Sequence, residues 1–575
     1  MMPKPDSVAP ALRSELKQFS AVAVKVLLFS MVLNLLVLTV PIYMMQVYDR
    51  VIPTRHLETL LFLSLIAVGA VALYILLDTV RTHVLIKVGH QLMLALRSKV
   101  LFACVQSTAA GHNIGKQPVD ELESVRLCLS GAAFCALFDL PWLVLFIGIV
   151  WIVHPVLGVF ALSAVIVMAG ITAISSVVVR NNIVAGRSAD AQSDRFGSAI
   201  VESASTVMSM ALWPRAQDFW KNLQTKGLKQ KLPAELDSAT FKALTKGSRT
   251  LIQIGALGIG AFLASSQEIT PGAIIAVSIL LNRALAPVDA LVSGWRQFAN
   301  AFQVSKQVNN LLRTYPVPTD KVNLPAPRGE IHFEQVTYLP AGRKKATLSG
   351  ISIRISAGKT VAVVGASGSG KTTFCKTLLG YLPLRSGNVR IDGASLSDWN
   401  LKDLAPHVGY VSQHSEYLPG TVEQNIARFT PDRSLEVIEA AKLAGVHELI
   451  LALPQGYQTV LDKNGAPLSG GQQQRIALAR AIIGKPRILV LDEPNANLDA
   501  DGMIVLSDIL ATVKSWGTTI VMAVHNTALF AHADQILVLE HGCVAAFGPR
   551  EDILQRMRPD RSKALHAREG LNAQR

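Results

Sequence analysis

The sequence predicts an all-α transmembrane domain of six spans followed by an α/β domain built on a phosphate-binding loop. Three observations carry that reading. Half of the 575 residues are hydrophobic and 17% are charged, a mean hydropathy of +0.35, and the apolar excess lies before about residue 295. Six runs within that part are long and apolar enough to span a bilayer, which takes about 20 residues. Beyond it, "VAVVGASGSGKTTF" reads as a buried strand, a Gly-rich turn and a helix start.

The spans fall at about 22–44, 59–77, 133–153, 156–179, 250–266 and 271–292. The fifth is rich in Gly and Ala, which weakens its hydropathy and favours close helix packing. Segments 78–131 and 180–249 are long and basic, whereas the connections at 45–58, His154–Pro155 and 265–270 are short. Long basic loops are retained in the cytoplasm, so both termini and the second domain are expected there, with helices running well past the bilayer. In "FDLPW", Asp139 precedes Pro141 inside the third span; it is either a functional acid or the partner of an Arg across the bundle. Asp6 and Glu15 before the first apolar run argue against a cleavable signal. Four prolines in 313–330 mark a linker, and "GEIHFEQVTY" then alternates as a strand does. The expected organisation is a short N-terminus 1–21, the spans within 22–312, a linker 313–328, a nucleotide-binding domain 329–566 and a tail 567–575.

The formal charge of +14 raises nucleic acid as a partner. Lys and Arg concentrate in the loops between spans, however, so no nucleic-acid partner is expected, while membrane lipid is obligatory. Cys104, Cys128, Cys135, Cys375 and Cys543 show no CxxC spacing and read as free buried thiols in a reducing compartment.

In the loop Gly365, Ala366, Ser367, Gly368, Ser369, Gly370, Lys371, Thr372 and Thr373, the glycines let backbone N–H groups approach phosphate oxygens. Lys371 is placed for the β- and γ-phosphates of ATP and the Thr372 hydroxyl for Mg²⁺. The apolar strand in "RILVLDEPNANLD" ends in two acids: Asp492 to orient Mg²⁺ and Glu493 to polarise the attacking water. Gln413 follows a short strand within reach of metal or water, and His525 ends another, where an imidazole can contact the γ-phosphate. Roughly a hundred residues after the phosphate loop, "PLSGGQQQR" offers a second anion-seeking element, with Ser469 capping a helix that begins at Gly470.

The order GASGSGKT, Gln413, LSGGQ, LVLDE, NLD and His525 resembles the nucleotide-binding domain of ABC transporters over about 240 residues, and six spans before one such domain resemble an ABC half-exporter. The resemblance implies a homodimer in which each ATP lies between Lys371 of one chain and Ser469, Gly470, Gly471 and Gln472 of the other, with Asp499 of "NLD" also at the nucleotide. "QVYDRVIPTRHLETL", "ALFDLPW" and "ILLNRALAPVDALVSGWRQF" resemble type I protein-secretion ATPases, and "LDEPNANLD" resembles their protease- and lipase-exporting branch. With only about 20 residues before the first span, no N-terminal peptidase-like domain is expected.

That resemblance implies the bacterial inner membrane, a membrane-fusion adaptor protein, an outer-membrane channel protein, and an unfolded secreted polypeptide with a C-terminal signal as substrate. Two departures stand out. The position where the family often stacks adenine on an aromatic is Pro340, so Tyr338 is expected in the core, and "TVLDKNGAP" replaces the usual Thr-x-x-Gly-Glu run before LSGGQ. The 195–220 loop, with Trp213 and Trp220, reads either as a packed helix pair or, by resemblance, as a lever seated near Gln413. Two other functions fit the architecture: export of a small molecule or lipid, and an ATP-binding regulatory membrane scaffold. Glu493 and His525 argue against the scaffold.

Overall fold

The computed structural model describes residues 10–557 except 113, 317–323, 341, 414–415, 463–467 and 526. Much of the linker, the whole tail, His414, Ser415 and the "KNGAP" run therefore lie outside the described residues. The chain divides into two compact units, 1–105 with 114–317, and 106–113 with 318–575.

The first unit is helical and, among the described residues, contains six helical stretches apolar enough to cross a membrane, at Ala21–Thr54, Leu57–Ala109, Ala132–Val153, Pro155–Ser175, Trp213–Ser265 and Pro271–Thr314. They overlap the six predicted runs, but several are far longer. The second run lies within a 53-residue helix, Leu57–Ala109, and the fifth within another, Trp213–Ser265. Hydropathy marks only the stretch suited to lipid; the helix continues wherever nothing breaks it. Pro141 does break one, leaving a 3-10 turn at Leu140–Trp142 between Ala132–Asp139 and Leu143–Val153. Between the long helices, the 195–220 segment forms the short helix Ala204–Ser209.

Leu157, Met168, Leu281 and Leu285 are among the residues packed at the centre of this unit, and small residues let helices close on one another. A Cβ at Gly294 would lie 2.1 Å from that of Ala133. A few polar pairs join the helices. The Arg81 guanidinium donates to Asp139 at 2.9 Å, to Asp78 at 2.7 Å and to Ser30 at 3.0 Å, and Asn34 donates to Asp139 at 3.1 Å. Asp139 is thus paired with an Arg across the bundle, one of its two expected readings. Arg249 binds Asp289 at 2.7 Å and Asn282 at 3.1 Å, tying the fifth span to the sixth. A π-helical turn, Val47–Val51, presents Asp49 to the start of the sixth span, where it accepts from Thr270 Oγ1 at 2.6 Å and Gly272 N at 2.8 Å. Gly272 N is one of the backbone N–H groups that a helix start leaves unsatisfied.

Among its described residues the second unit has twelve strands: β1 (Ile331–Tyr338), β2 (Leu348–Ile355), β3 (Thr360–Val364), β4 (Ser386–Ile391), β5 (Ala394–Ser395), β6 (Val408–Val411), β7 (Gly420–Thr421), β8 (Val460–Leu461), β9 (Ile488–Asp492), β10 (Thr519–Ala523), β11 (Gln535–Glu540) and β12 (Cys543–Pro549). One sheet runs β12-β11-β3-β10-β9-β6, parallel except for β12. An antiparallel sheet runs β2-β1-β4-β5, and β7 pairs with β8. β3, β9 and β10 are buried throughout, as expected of parallel strands covered on both faces. Tyr338 is 6% exposed, a core residue as expected, and its hydroxyl donates to the Ala110 carbonyl within this unit. Cys375 is buried, but Cys543 is exposed, contrary to expectation, because it opens the edge strand β12.

Candidate nucleotide site

The central parallel strands carry the site at their C-terminal ends, where ligands bind in open α/β sheets. After β3 the chain turns through Gly365 to Gly370 and enters the helix Lys371–Leu378. Glycine is required at two points of this turn. Gly370 has φ +103°, and a Cβ there would lie 3.0 Å from the Thr347 carbonyl. A Cβ at Gly365 would lie 2.3 Å from the Leu539 carbonyl oxygen. Lys371 Nζ folds back on its own loop, donating to the carbonyls of Gly365 at 2.9 Å and Ala366 at 3.1 Å.

Strand register brings the remaining chemistry together. β6 pairs with β9 so that Val411 faces Leu491, which carries Gln413 beside Glu493 two residues on. β10 pairs with β9 so that Ala523 faces Asp492, which brings His525 to the same acid. Gln413 Nε2 donates to Glu493 Oε2 at 2.9 Å, and His525 Nε2 lies 3.2 Å from Oε1. Glu493 adopts φ +51°, a conformation that costs a non-glycine residue about 1–3 kcal/mol. Its N–H is fixed to the Ala523 carbonyl at 3.0 Å. A strained backbone holding an acid between two polar side chains is preorganised to position a reactant.

Thr372 Oγ1 donates to Asp492 Oδ1 at 3.1 Å. Burial pushes the Asp492 carboxyl above the usual range, and Glu493 adds to the rise against the opposing hydrogen bond from Thr372. Its other oxygen, Oδ2, is buried without a hydrogen-bond partner among the described residues. A desolvated carboxylate oxygen beside a hydroxyl fits a hard divalent cation, which takes oxygen ligands.

Ser469 caps the helix Gly470–Ile482 in a capping box: its Oγ accepts from Gln472 N at 3.3 Å, and Gln472 Oε1 accepts from Ser469 N at 2.9 Å. The Gln472 side chain is thus engaged in the cap. The N–H groups of Gly470 and Gly471 donate to nothing among the described residues, and no hydrogen bond there joins 469–472 to the 365–373 loop. Asp499 caps the helix Ala500–Ser515 through Gly502 N at 2.8 Å and pairs with Arg475 at 3.1 Å. Sequence reasoning missed the residues that anchor the signature helix. Gln474 is fully buried and donates to the Pro494 carbonyl at 3.1 Å. The Tyr417 hydroxyl donates to the Gln473 carbonyl, with Arg480 5.4 Å above its ring. The Gln run after LSGG carried a signal: a polar residue on the apolar side of a helix needs a buried partner.

Six spans joined to an ATPase unit of this topology make the protein an ABC half-exporter by class. Family models agree: residues 24–288 match the ABC transporter transmembrane region and residues 348–496 the ABC transporter family. The type I secretion system ATP-binding protein PrsD of Rhizobium meliloti (strain 1021) is 35% identical over 97% of this chain and 96% of its own. The cyclolysin secretion/processing ATP-binding protein CyaB of Bordetella pertussis is 31% identical over 92% of this chain and 75% of its own. The structure of a bacterial Atm1-family ABC exporter with ATP bound covers 94% of this chain and 96% of its own, with a TM-score of 0.77 at 24% identity, a likeness of fold. The chain belongs to the ABC transporters and, within them, to the type I secretion ATP-binding proteins. It is a multi-pass inner-membrane protein whose ATP hydrolysis is coupled to transport.

Proposed function

We propose that the protein is the permease and ATPase of a type I secretion system, exporting an unfolded polypeptide with a C-terminal signal across the inner membrane. Identity of 35% with a secretion ATPase across both units carries this reading; a shared ATPase domain alone would fit any ABC exporter. The working form is a homodimer whose nucleotide domains face the cytoplasm, coupled to a membrane-fusion adaptor and an outer-membrane channel. Dimerisation is supported by the unpaired N–H groups of Gly470 and Gly471, which offer anion ligands that their own phosphate loop does not use.

In this assembly Lys371 leaves the carbonyls of Gly365 and Ala366 to hold the β- and γ-phosphates of ATP, while loop N–H groups cradle them. Thr372, Asp492 and Gln413 would hold Mg²⁺, which would supply positive charge against the charge developing on the phosphate oxygens. Glu493 accepts a proton from, or orients, the attacking water, and His525 contacts the γ-phosphate. Ser469, Gly470 and Gly471 of the second protomer close the site, with Asp499 beside them.

The test is the protein content of the medium from cells with and without this chain. Loss of one or a few polypeptides on deletion is expected. An unchanged set of secreted proteins, with loss of a small molecule or lipid instead, would transfer the protein to the alternative class.

A further inference from the structure

The first unit has a half-open cavity of about 360 Å³ lined by spans one, two, three and six, with Arg283 exposed at its wall. Its walls carry Asn34, Asp78, Arg81, Asp139 and Arg283, with Pro287 and other apolar residues between them. Ionisable groups in a membrane bundle are costly and mark sites of function. The Arg81–Asp139 pairing accounts for part of the set but not all of it. The Arg81 side chain is 9% exposed, yet its Nε is buried with no hydrogen-bond partner. Arg283 lines the same cavity and makes no hydrogen bond or ion pair among the described residues. The set thus combines two guanidiniums with spare donors and two carboxylates, so its formal charge is balanced.

We propose that this cavity binds a short stretch of the exported polypeptide, with Arg283 and Arg81 Nε donating to chain carbonyls or acidic side chains and Asp78 and Asp139 accepting N–H groups. The inference rests on the polypeptide-export reading above. Depth favours a peptide over a lipid headgroup. Arg283 lies about 18 Å along its helix from Pro271, and Asp139 about 21 Å from Val153, at 1.5 Å per residue. Both are inside a hydrocarbon layer about 30 Å thick, where lipid headgroups do not reside. An extended polypeptide crossing that layer must satisfy every backbone N–H and C=O, and a charge-balanced wall offers donors and acceptors without selecting one net charge. A pocket of this size holds a few residues, which suits transient contact with a moving chain.

The test begins with the secreted polypeptide lost on deletion of this chain. A photo-crosslinking residue replaces Ala286, on the cavity wall, or Ile166, an exposed apolar residue of the fourth span, in cells where Glu493→Gln arrests export. Cross-links from 286 to that polypeptide, absent from 166, are expected. Separately, Arg283→Ala lowers export about tenfold, the scale of one lost charged hydrogen bond, at equal amounts of protein in the membrane, and Arg283→Lys restores most of it. Cross-links from 286 to lipid alone, or normal export by Arg283→Ala, would overturn the cavity assignment while leaving the export reading intact. If no polypeptide is lost on deletion, both fall together.

Discussion

Replacing Glu493 with Gln removes a carboxylate while preserving its surroundings. The acid accepts from Gln413 at 2.9 Å and lies 3.2 Å from His525 Nε2. A glutamine side chain of the same length can turn its carbonyl to Gln413 and its amide to an unprotonated His525 nitrogen. Both contacts then survive, and the stability cost stays below about 1 kcal/mol. Gln also tolerates the φ of +51° at 493 no worse than Glu, since neither is branched at Cβ. What disappears is the ability to take a proton from water, worth about 10²–10⁴ in rate, or about 3–5 kcal/mol of barrier at 1.36 kcal/mol per decade. Steady-state ATP hydrolysis by the full-length variant in lipid nanodiscs should fall by that factor. Nucleotide affinity by calorimetry should hold within about threefold, because Lys371 and the loop N–H groups are untouched. Turnover within about threefold of the parent protein, at full nucleotide occupancy, would show that Glu493 is not the base and that the geometry around it serves another purpose.

Mixing chains bearing Lys371→Ala with chains bearing Ser469→Arg should give ATPase activity above either homodimer, because one composite site then carries both lesions and the other neither; activity no higher than the homodimers counts against sites shared between chains. Asp492 must be ionised to hold the metal, and burial raises its pKa. Mg·ATP binding should therefore release a proton in mildly acidic buffer and strengthen as pH rises, with proton release absent in Asp492→Asn when calorimetry is compared across buffers. By the same sign, the stability this group contributes before metal binds is full at low pH and lost as pH rises from the usual carboxylate pKa through the raised one. Asp139→Leu leaves the buried Arg81 with Asp78 as its one carboxylate partner among the described residues and should cost about 3 kcal/mol, while the double change with Arg81→Met recovers most of it; thermal unfolding in detergent measures both. Charged substitutions at Met208 and Met210, exposed residues at the turn of the 195–220 segment, should leave basal ATP hydrolysis while abolishing secretion. A proportional loss of both would make that segment structural only.

Much of this protein is local in origin and could be read from its residues in order. Apolar runs long enough for a bilayer are spans whatever surrounds them, because lipid leaves a backbone little choice but helix. The glycines of the phosphate loop and the Ser469–Gln472 capping box are likewise local, fixed by conformations and hydrogen bonds within a few residues. What no linear reading supplied was register and depth. Glu493 meets Gln413 and His525 because three parallel strands pair in one register, and a shift of one residue would turn the acid to the other face. Asp139 was legible as an intramembrane acid with two possible roles; its partners Arg81 and Asn34 come from other spans and were chosen by helix packing. The orphan Nε of Arg81 and Arg283, both without partners among the described residues, belong to that same class of fact. A side chain's unsatisfied hydrogen bonds are defined by everything around it, and only the assembled bundle determines what that is.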